Sequence, residues 1–281
     1  LAREQSKYSG LREQVPQSIS TIQEGLAKLK AWELKRPEPL QLLDCRIFVM
    51  SDIHIPFQDT AALTLALQFC SEYQPDIILL NGDILDQYAA SRWGKESDMP
   101  PIEYELKEGR KFLKLLRDSF PSARIIYKIG NHEERLHRYV MENADVLKGL
   151  KQLKLSYLLK FKEYGIEEVG REPIYAGKLN ILHGHELGRS VFSPVSPARG
   201  GWIRTYSNLM IGHYHQASEH TAGNLRGERF AVYSLGCLCD LSPDYDPYAF
   251  TRWGHGFGTV EVEPDGHFTA RVYKIVNGVI R

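Results

Sequence analysis

Five short motifs in this chain of 281 residues bring together side chains that can hold metal ions. They are Asp52-Ile53-His54, Gly82-Asp83-Ile84-Leu85-Asp86, Gly130-Asn131-His132-Glu133, His183-Gly184-His185 and Gly212-His213-Tyr214-His215. Carboxylate, amide oxygen and imidazole together suit a hard-to-borderline divalent cation such as Mn²⁺, Fe²⁺ or Zn²⁺. Two such ions held roughly 3.5–4 Å apart need one ligand that bridges both, and a carboxylate can do so. A bridged pair clamps a phosphate ester and makes hydroxide available near neutral pH. Any one of these motifs alone is an ordinary turn sequence. Their order, and what precedes each of them, is what carries meaning.

Each motif follows a short apolar run. RIFVMS (46–51), DIILLN (76–81), ARIIYKI (123–129), KLNIL (178–182) and NLMI (208–211) read as buried strands, as does RFAVYSL (229–235). Asp, Asn or His therefore stands at the carboxyl end of successive strands, the edge at which α/β sheets bind ligands. The adjacent Gly82, Gly130, Gly184 and Gly212 suit sharp strand-exit turns. Helices alternate with the strands. Asp59 is placed to cap one whose inner face is Leu63, Ala66, Leu67 and Cys70 and which Pro75 stops. A second spans 103–118 with Phe112, Leu113 and Leu116 inward, and a third runs from Glu133 to Asn143. GTVEVEPDGHFTARVYKI alternates with period two on both sides of Asp265-Gly266, a hairpin signal. The expectation is an α/β core with an antiparallel end section.

Residues 1–44 read as a helical extension and linker ahead of a chemical domain at 45–281. Ser20 with Gln23 forms a capping box, Ile22, Leu26 and Leu29 follow at helical spacing, and Pro37 and Pro39 mark the linker. This segment is expected to serve as a packing helix, an arm for a protein partner or the tail of a missing domain. Two long loops, 87–102 with Trp93 and Lys95 and 186–205 with Arg189, Arg199 and Arg204, are long enough to be functional.

Composition narrows the class. Hydrophobic residues make up 43% and charged residues 25%, as in an ordinary globular protein, which excludes a disordered, collagen-like or disulfide-stapled chain. Thirty-five basic residues balance thirty-five acidic ones, so no strong global field draws nucleic acid, although a local basic groove is compatible with that zero. No apolar run approaches the roughly 18–20 residues needed to cross a bilayer, and no secretory leader is expected. Cys45, Cys70, Cys237 and Cys239 are too scattered for a disulfide framework, and the Cys237–Cys239 pair lacks partners for a tetrahedral metal set. Reduced thiols point to the cytoplasm.

The ordered set DxH…GDxxD…GNHE…H…GHxH resembles the calcineurin-like metallophosphoesterase superfamily over about Arg46 to Tyr273. The resemblance implies a two-sheet mixed β-sandwich flanked by helices, with two divalent metal ions between the sheets at the strand ends. Manganese is the expected metal, with iron, zinc or magnesium as alternatives. Carried over residue by residue, Asp52, His54 and His215 would hold one ion, Asp83 would bridge, and Asn131, His183 and His213 would hold the other. His183 is preferred to His185 because it directly ends the apolar run. His132 would face the substrate and stabilise or protonate the leaving oxygen. Asp83 and Asp86 join it as catalytic residues, Asp86 by orienting a ligand.

Departures from subfamily patterns bear on the substrate. Ser/Thr protein phosphatases read GDxxDRG, and that Arg grips phosphate, but here Asp86 is followed by Gln87-Tyr88. The metal-binding Tyr of secreted purple acid phosphatases is likewise missing, since Asp86 stands in its place. The chain is more similar to phage and bacterial members grouped with DNA-repair phosphoesterases, which implies a phosphodiesterase acting on nucleic acid. Arg135, Arg199 and Arg204 are the candidate substrate-binding residues, with Trp93, Trp202 and Tyr206 as candidate stacking partners. A phosphomonoesterase or nucleotide hydrolase on the same site is the alternative, and a protein phosphatase or an idle metal-binding module comes third.

Overall fold

The structure is a computed structural model that describes residues 19, 21–30, 37–91, 99–188, 195–242 and 250–281. Contacts divide the chain into two units, Leu1–Glu38 and Pro39–Arg281. In the first unit residues 21–27 are helical, in keeping with the spacing of Ile22 and Leu26, whereas Ser20 lies outside the described residues. Among the described residues no helix is long and apolar enough to cross a membrane.

The second unit is a mixed α/β fold with two sheets. One sheet has seven strands in the order β13-β12-β11-β2-β3-β4-β5. Its centre is β2 (Cys45–Met50), β3 (Ile77–Asn81), β4 (Arg124–Lys128) and β5 (Ile166–Val169), which run parallel. Its antiparallel flank is β11 (His255–Val262) and β12 (Phe268–Val276), the hairpin expected around Asp265-Gly266, with β13 (Val279–Ile280) at the edge. The other sheet has six strands in the order β1-β6-β7-β8-β10-β9. They are β1 (Leu40–Leu42), β6 (Ile174–Ala176), β7 (Leu179–Ile181), β8 (Leu209–Ile211), β9 (Ser218–Gly223) and β10 (Arg229–Ser234). The last residues of the segment 1–44 thus form a strand of this sheet, with Leu40 beside Ile174. A three-residue strand, LQL, is too short to show a period.

Strand alternation explains the layers. Ile47, Val49, Ile77, Leu79 and Ile126 face Ile174, Leu179, Ile181 and Met210 across the gap between the sheets. Their neighbours Phe48, Met50, Ile78, Leu80, Ile125 and Tyr127 face the other way. There they meet α1 (Thr60–Tyr73) through Ala62, Ala66 and Cys70, and α2 (Ile102–Ser119) through Phe112, Leu113 and Leu116. With both faces covered, the central strands must be apolar throughout, which is why they read as continuous runs. Asp59 caps α1 by accepting from the Ala62 N–H at 2.8 Å, as its sequence signal indicates. Helix α3 (Glu134–Asn143) follows β4, and α4 (Pro197–Thr205) covers the six-stranded sheet through Ala198 against Leu209, Ile211 and Val232.

Helix α4 corrects the expectation of a loop over 186–205. Ser196 accepts from the Arg199 N–H and Pro197 occupies the first turn, a start signal outweighed in the sequence by the glycines that follow. Gly201 in that helix lets it lie close to Leu209. Trp93, Lys95 and Arg189 lie outside the described residues.

Candidate metal centre

The five motifs meet where the two sheets adjoin. Asp52 and His54 leave β2, Asp83 leaves β3, and Asn131 and His132 leave β4, all in the seven-stranded sheet. His183 leaves β7, and His213 and His215 leave β8, in the six-stranded sheet. Neither sheet alone holds the set.

The exits are tight. Asp52, His54, Asp83, His213 and His215 all have positive φ, between 53° and 69°. For residues other than glycine this left-handed region is uncommon and costs of order 1–3 kcal/mol each, so the surroundings must hold it. Backbone bonds do so: the Asp52 N–H donates to Gly82 O at 3.1 Å, His54 N–H to Asp83 O at 3.0 Å, and Leu238 N–H to Asp52 O at 3.0 Å. The His213 N–H donates to Asp52 Oδ2 at 2.8 Å and ties the two sheets together. Gly130 and Gly212 are glycines because of close approach. A Cβ on the first would collide with Asp83 Oδ1, and one on the second with Ser51 Oγ.

Three histidines share one arrangement. His54 donates from Nδ1 to Asp86 Oδ2 at 2.9 Å, His183 from Nδ1 to Asn81 O at 2.7 Å, and His215 from Nδ1 to Cys239 Sγ at 3.9 Å. Each bond leaves Nε2 as the inward-facing nitrogen, the pattern by which an outer partner orients a metal-binding imidazole. His54 Nε2 and His215 Nε2 are 3.2 Å apart, and His183 Nε2 is 3.1 Å from Asp83 Oδ2. The donor atoms of Asp83, His183 and His213 lie within 4.8 Å of one another. His185 does not join them. Its ring sits 5.4 Å from that of His183, and its Nδ1 is 3.4 Å from Glu186.

Asn131 Oδ1 is buried without a hydrogen bond, and Asp52 Oδ1 and His183 Nε2 make none either but face charged partners, His215 at 3.2 Å and Asp83 at 3.1 Å. A buried polar atom left alone costs about 1–3 kcal/mol. A carboxylate oxygen, an amide oxygen and an imidazole nitrogen are the donors a divalent cation takes. The residues present fit a pair of such ions.

The electrostatics agree. Burial pulls the His183 imidazolium down, but the Asp83 carboxylate outweighs it and pushes the pKa up to about 10. Burial and Asp52 act in the same opposition on His215, which reaches about 9. His213, buried and beside the charged His183, falls to about 4. Asp83 is held well below the usual carboxylate range, burial notwithstanding, by His183 and His132. The carboxylates of Asp52 and Asp83 stay charged, each facing a charged histidine.

Beside it, His132 donates its backbone N–H to Asp83 Oδ1 at 2.9 Å and its Nδ1–H to the Asp86 carbonyl at 2.9 Å. Arg135 donates to the same carbonyl at 3.0 Å, to Asp86 Oδ1 at 3.1 Å and to His132 Nε2 at 2.8 Å. Burial would lower the pKa of His132, but the Asp83 and Asp86 carboxylates raise it. Arg199 and Arg204 are exposed on α4. Arg204 lies near enough to Tyr214 for its charge to oppose the upward shift that burial gives that hydroxyl. Trp202 packs against the α4 core and beside His220, which makes it a packing residue. Tyr206 is exposed.

Sequence reasoning assigned no role to three glutamates that hold the turns, Glu105 and Glu133 buried and Glu186 half-buried. Glu133 accepts from the N–H groups of Asp83 at 2.9 Å, Ile84 at 2.7 Å, Leu85 at 3.1 Å and Gly130 at 2.9 Å, and from the Tyr127 hydroxyl at 2.8 Å. Glu105 on α2 accepts from Gln87 at 2.5 Å and Tyr88 at 3.1 Å. The Asp86 N–H between them donates to Ile55 O at 3.0 Å. Glu186 accepts from Gly184 N–H at 2.7 Å and pairs at 3.0 Å with the fully buried Lys128, which also donates to Gly170 O and Glu172 O. Glu133 had a visible signal as the last residue of the GNHE motif, and Lys128 as a charge inside the apolar run ARIIYKI.

Comparison with known proteins places these observations. The family model described as calcineurin-like phosphoesterase matches residues 45–228. The gene 54 protein of Mycobacterium phage D29 is 29% identical over 246 residues, covering 83% of this chain and 94% of that protein. Its counterpart in Mycobacterium phage L5 is 27% identical over the same length and shares. Solved structures that align include Vacuolar Protein Sorting 29 from Cryptosporidium parvum, with TM-score 0.44, 11% identity and coverage of 85% of this chain and 95% of that one. A dimetal phosphatase from Danio rerio aligns with TM-score 0.36, 11% identity and coverage of 83% and 95%.

Proposed function

The chain belongs to the calcineurin-like phosphoesterase family, as a metal-dependent phosphoesterase, and within it we propose a two-metal phosphodiesterase that hydrolyses nucleic acid, DNA foremost. The observation that supports the two-metal reading is the crowding of buried donors, with His183 Nε2 3.1 Å from Asp83 Oδ2, His215 Nε2 3.2 Å from Asp52 Oδ1 and Asn131 Oδ1 left without a hydrogen bond. Asp52, His54 and His215 would hold one ion, Asn131, His183 and His213 the other, and Asp83 both. Bound there, two divalent cations supply Lewis acidity toward a phosphate ester and lower the pKa of water.

The chain's own residues then have distinct work. Asp86 orients His54 through its carboxylate and His132 through its carbonyl. His132 sits beside Asp83, and once Arg135 gives way at its Nε2 that nitrogen would face the oxygen leaving the phosphorus, to stabilise it or supply a proton. Arg135 holds Asp86 and His132 in register.

A diester fits better than a monoester. A monoester dianion carries an extra charge, which protein phosphatases meet with an Arg after GDxxD. Here Gln87 stands at that place, buried, with Oε1 accepting from Leu136 N–H at 2.9 Å. The nearest guanidinium, Arg135, already pairs with Asp86. Nucleic acid is favoured among diesters by the resemblance to phage and bacterial members and by the exposed cation Arg204 near Tyr214.

Hydrolysis of bis-p-nitrophenyl phosphate should exceed that of the monoester with Mn²⁺, Mg²⁺ or Zn²⁺ added in turn, and labelled single- or double-stranded DNA should be cut with the same metal. A preference for the monoester, with DNA left intact, would move the reading to a phosphomonoesterase or nucleotide hydrolase on the same centre.

A further inference from the structure

The chain carries no net charge, yet residues 146–162 include Lys148, Lys151, Lys154, Lys160 and Lys162 and no acidic residue. All five lysines are exposed. Lys148 stands 3.9 Å from Asp145 and Lys160 pairs with Glu163 at 2.9 Å. Lys151, Lys154 and Lys162 have no acidic partner among the described residues. The segment is anchored from beneath by Leu159 and Phe161, both in the core, and by Arg110, which donates to Leu158 O at 3.0 Å. Its upper side holds Tyr157, 61% exposed.

Two concavities flank this segment. One, of about 720 Å³, is lined by Arg110, Ser156, Tyr157, Leu158, Lys160 and Lys162 together with Glu163, so that three cations ring an exposed aromatic. The other, of about 270 Å³, brings Lys154 and His137 together with Gln87 and with the carboxylates Glu133, Glu134 and Glu168, beside the turns that carry Asp86 and His132. Lys154 is the lysine by which the basic segment reaches the edge of the candidate metal centre.

We propose that residues 146–162 form a platform for a single nucleic-acid strand, which leads the substrate to the metal centre. The proposal rests on the nucleic-acid reading of that centre. Backbone phosphates are met by lysines that no acid neutralises, and an unpaired base stacks on Tyr157. An anionic bilayer is the rival partner for lysines mixed with exposed apolar residues. The geometry disfavours it: the helical pieces here are Leu155–Leu158 and Phe161–Tyr164, four residues each, and a membrane-surface helix needs a long continuous apolar face. Concave clefts suit a strand.

The test is fluorescence anisotropy of labelled single-stranded DNA titrated with the full chain in EDTA, which prevents turnover, over a range of salt. Replacing Lys151, Lys154 and Lys162 together by Gln should flatten the slope of log affinity against log salt by about 2, at about 0.7 for each phosphate contact on a single strand. Tyr157→Ala should weaken binding roughly 5- to 150-fold with little change of slope, as expected for one lost stack. Thermal unfolding of each variant shows that it is folded. Wild-type binding with a slope that the triple variant keeps would overturn the platform and leave the nucleic-acid reading standing. Failure of the wild type to bind or cut any DNA, while it still hydrolyses small diesters, would overturn that reading and the platform with it. Binding to phosphatidylserine vesicles that the triple variant loses, with DNA binding unaltered, would assign the surface to a membrane instead.

Discussion

His54 and His215 face each other nitrogen to nitrogen, their Nε2 atoms 3.2 Å apart although 161 residues separate them in the chain. Both Nδ1 atoms are engaged elsewhere, by Asp86 and Cys239. Two lone pairs so close need a shared positive charge, either a proton or a cation. In the metal-free protein a proton on His215 meets that need, since Asp52 pushes that imidazole up to about 9 against its burial.

Metal uptake must therefore expel protons, because an imidazole binds a metal only when neutral. Near pH 7 close to two protons should leave per chain, one each from His183 and His215. Affinity should rise with pH until about pH 9–10, where both are already neutral. Calorimetry in buffers of different ionisation enthalpy reads the proton count directly. Two ions should bind at saturation, and Asp83→Ala should lose both. An affinity independent of pH would contradict the assignment of His183 and His215 as ligands.

His132→Ala should leave the metal content unchanged and lower turnover on diesters with poor leaving groups about 10²–10⁴-fold, the usual worth of general acid catalysis. The loss should shrink for p-nitrophenolate, which needs no proton. Equal losses on both leaving groups would remove the acid role and leave charge stabilisation alone.

The Lys128–Glu186 pair should act on both stability and the second ion. Lys128→Met leaves the Glu186 carboxylate buried without its cation, which typically costs about 3–5 kcal/mol. It also loosens the turn that presents His183, whose neighbour Gly184 is bound by Glu186. Urea unfolding in EDTA should show the loss, and metal titration should show one of the two ions weakened. Adding Glu186→Gln to Lys128→Met should recover much of the stability. Additive losses in the double variant would mean that the two side chains act independently.

Glu105 gives a pH signature. Burial, then the nearby Asp86 charge, pushes its carboxyl up to about 8 from 4.5, against the N–H groups that favour the charged form. The folded state thus keeps a proton that the unfolded chain has released. Stability from this group is present in full below about pH 4.5 and falls as pH rises toward 8. Glu105→Gln should remove that slope, which amounts to at most a few kcal/mol at about 1.36 kcal/mol per unit. Urea unfolding of both proteins at several pH values between these limits checks it; parallel slopes would count against the raised carboxyl.

Much of this architecture was legible in the sequence because its causes are local. The central strands β2, β3, β4, β7, β8 and β10 fall within the apolar runs, since burial of both faces leaves an unbroken signature. The motifs holding Asp52, His54, Asp83, Asn131, His183, His213 and His215 were visible because they stand at the ends of those runs, while the choice of ligands within them followed the family resemblance. The short strands β1, β5, β6 and β9 were not legible. Their residues mix apolar with polar or charged ones, as in Ile166–Val169 and Ser218–Gly223, so they form no apolar run, and partners such as Ile174 for Leu40 are distant in the chain.

What the tertiary structure alone decided are relationships across such distances. Glu105 stands 18 residues from the amide it holds, and Lys128 reaches Glu186 from another strand of another sheet. Buried carboxylates of this kind satisfy backbone groups wherever packing happens to bring them, so no spacing announces them. The same holds for α4, where Arg199 and Arg204 ride on a helix whose place is set by Ala198 against Leu209 and Ile211. Sequence determined which atoms could bind a metal, since that is a property of residue type and of the strand that ends beside it. Only the fold determined which ring nitrogen faces inward, because that depends on what the other nitrogen meets: Asp86 for His54, Asn81 for His183 and Cys239 for His215.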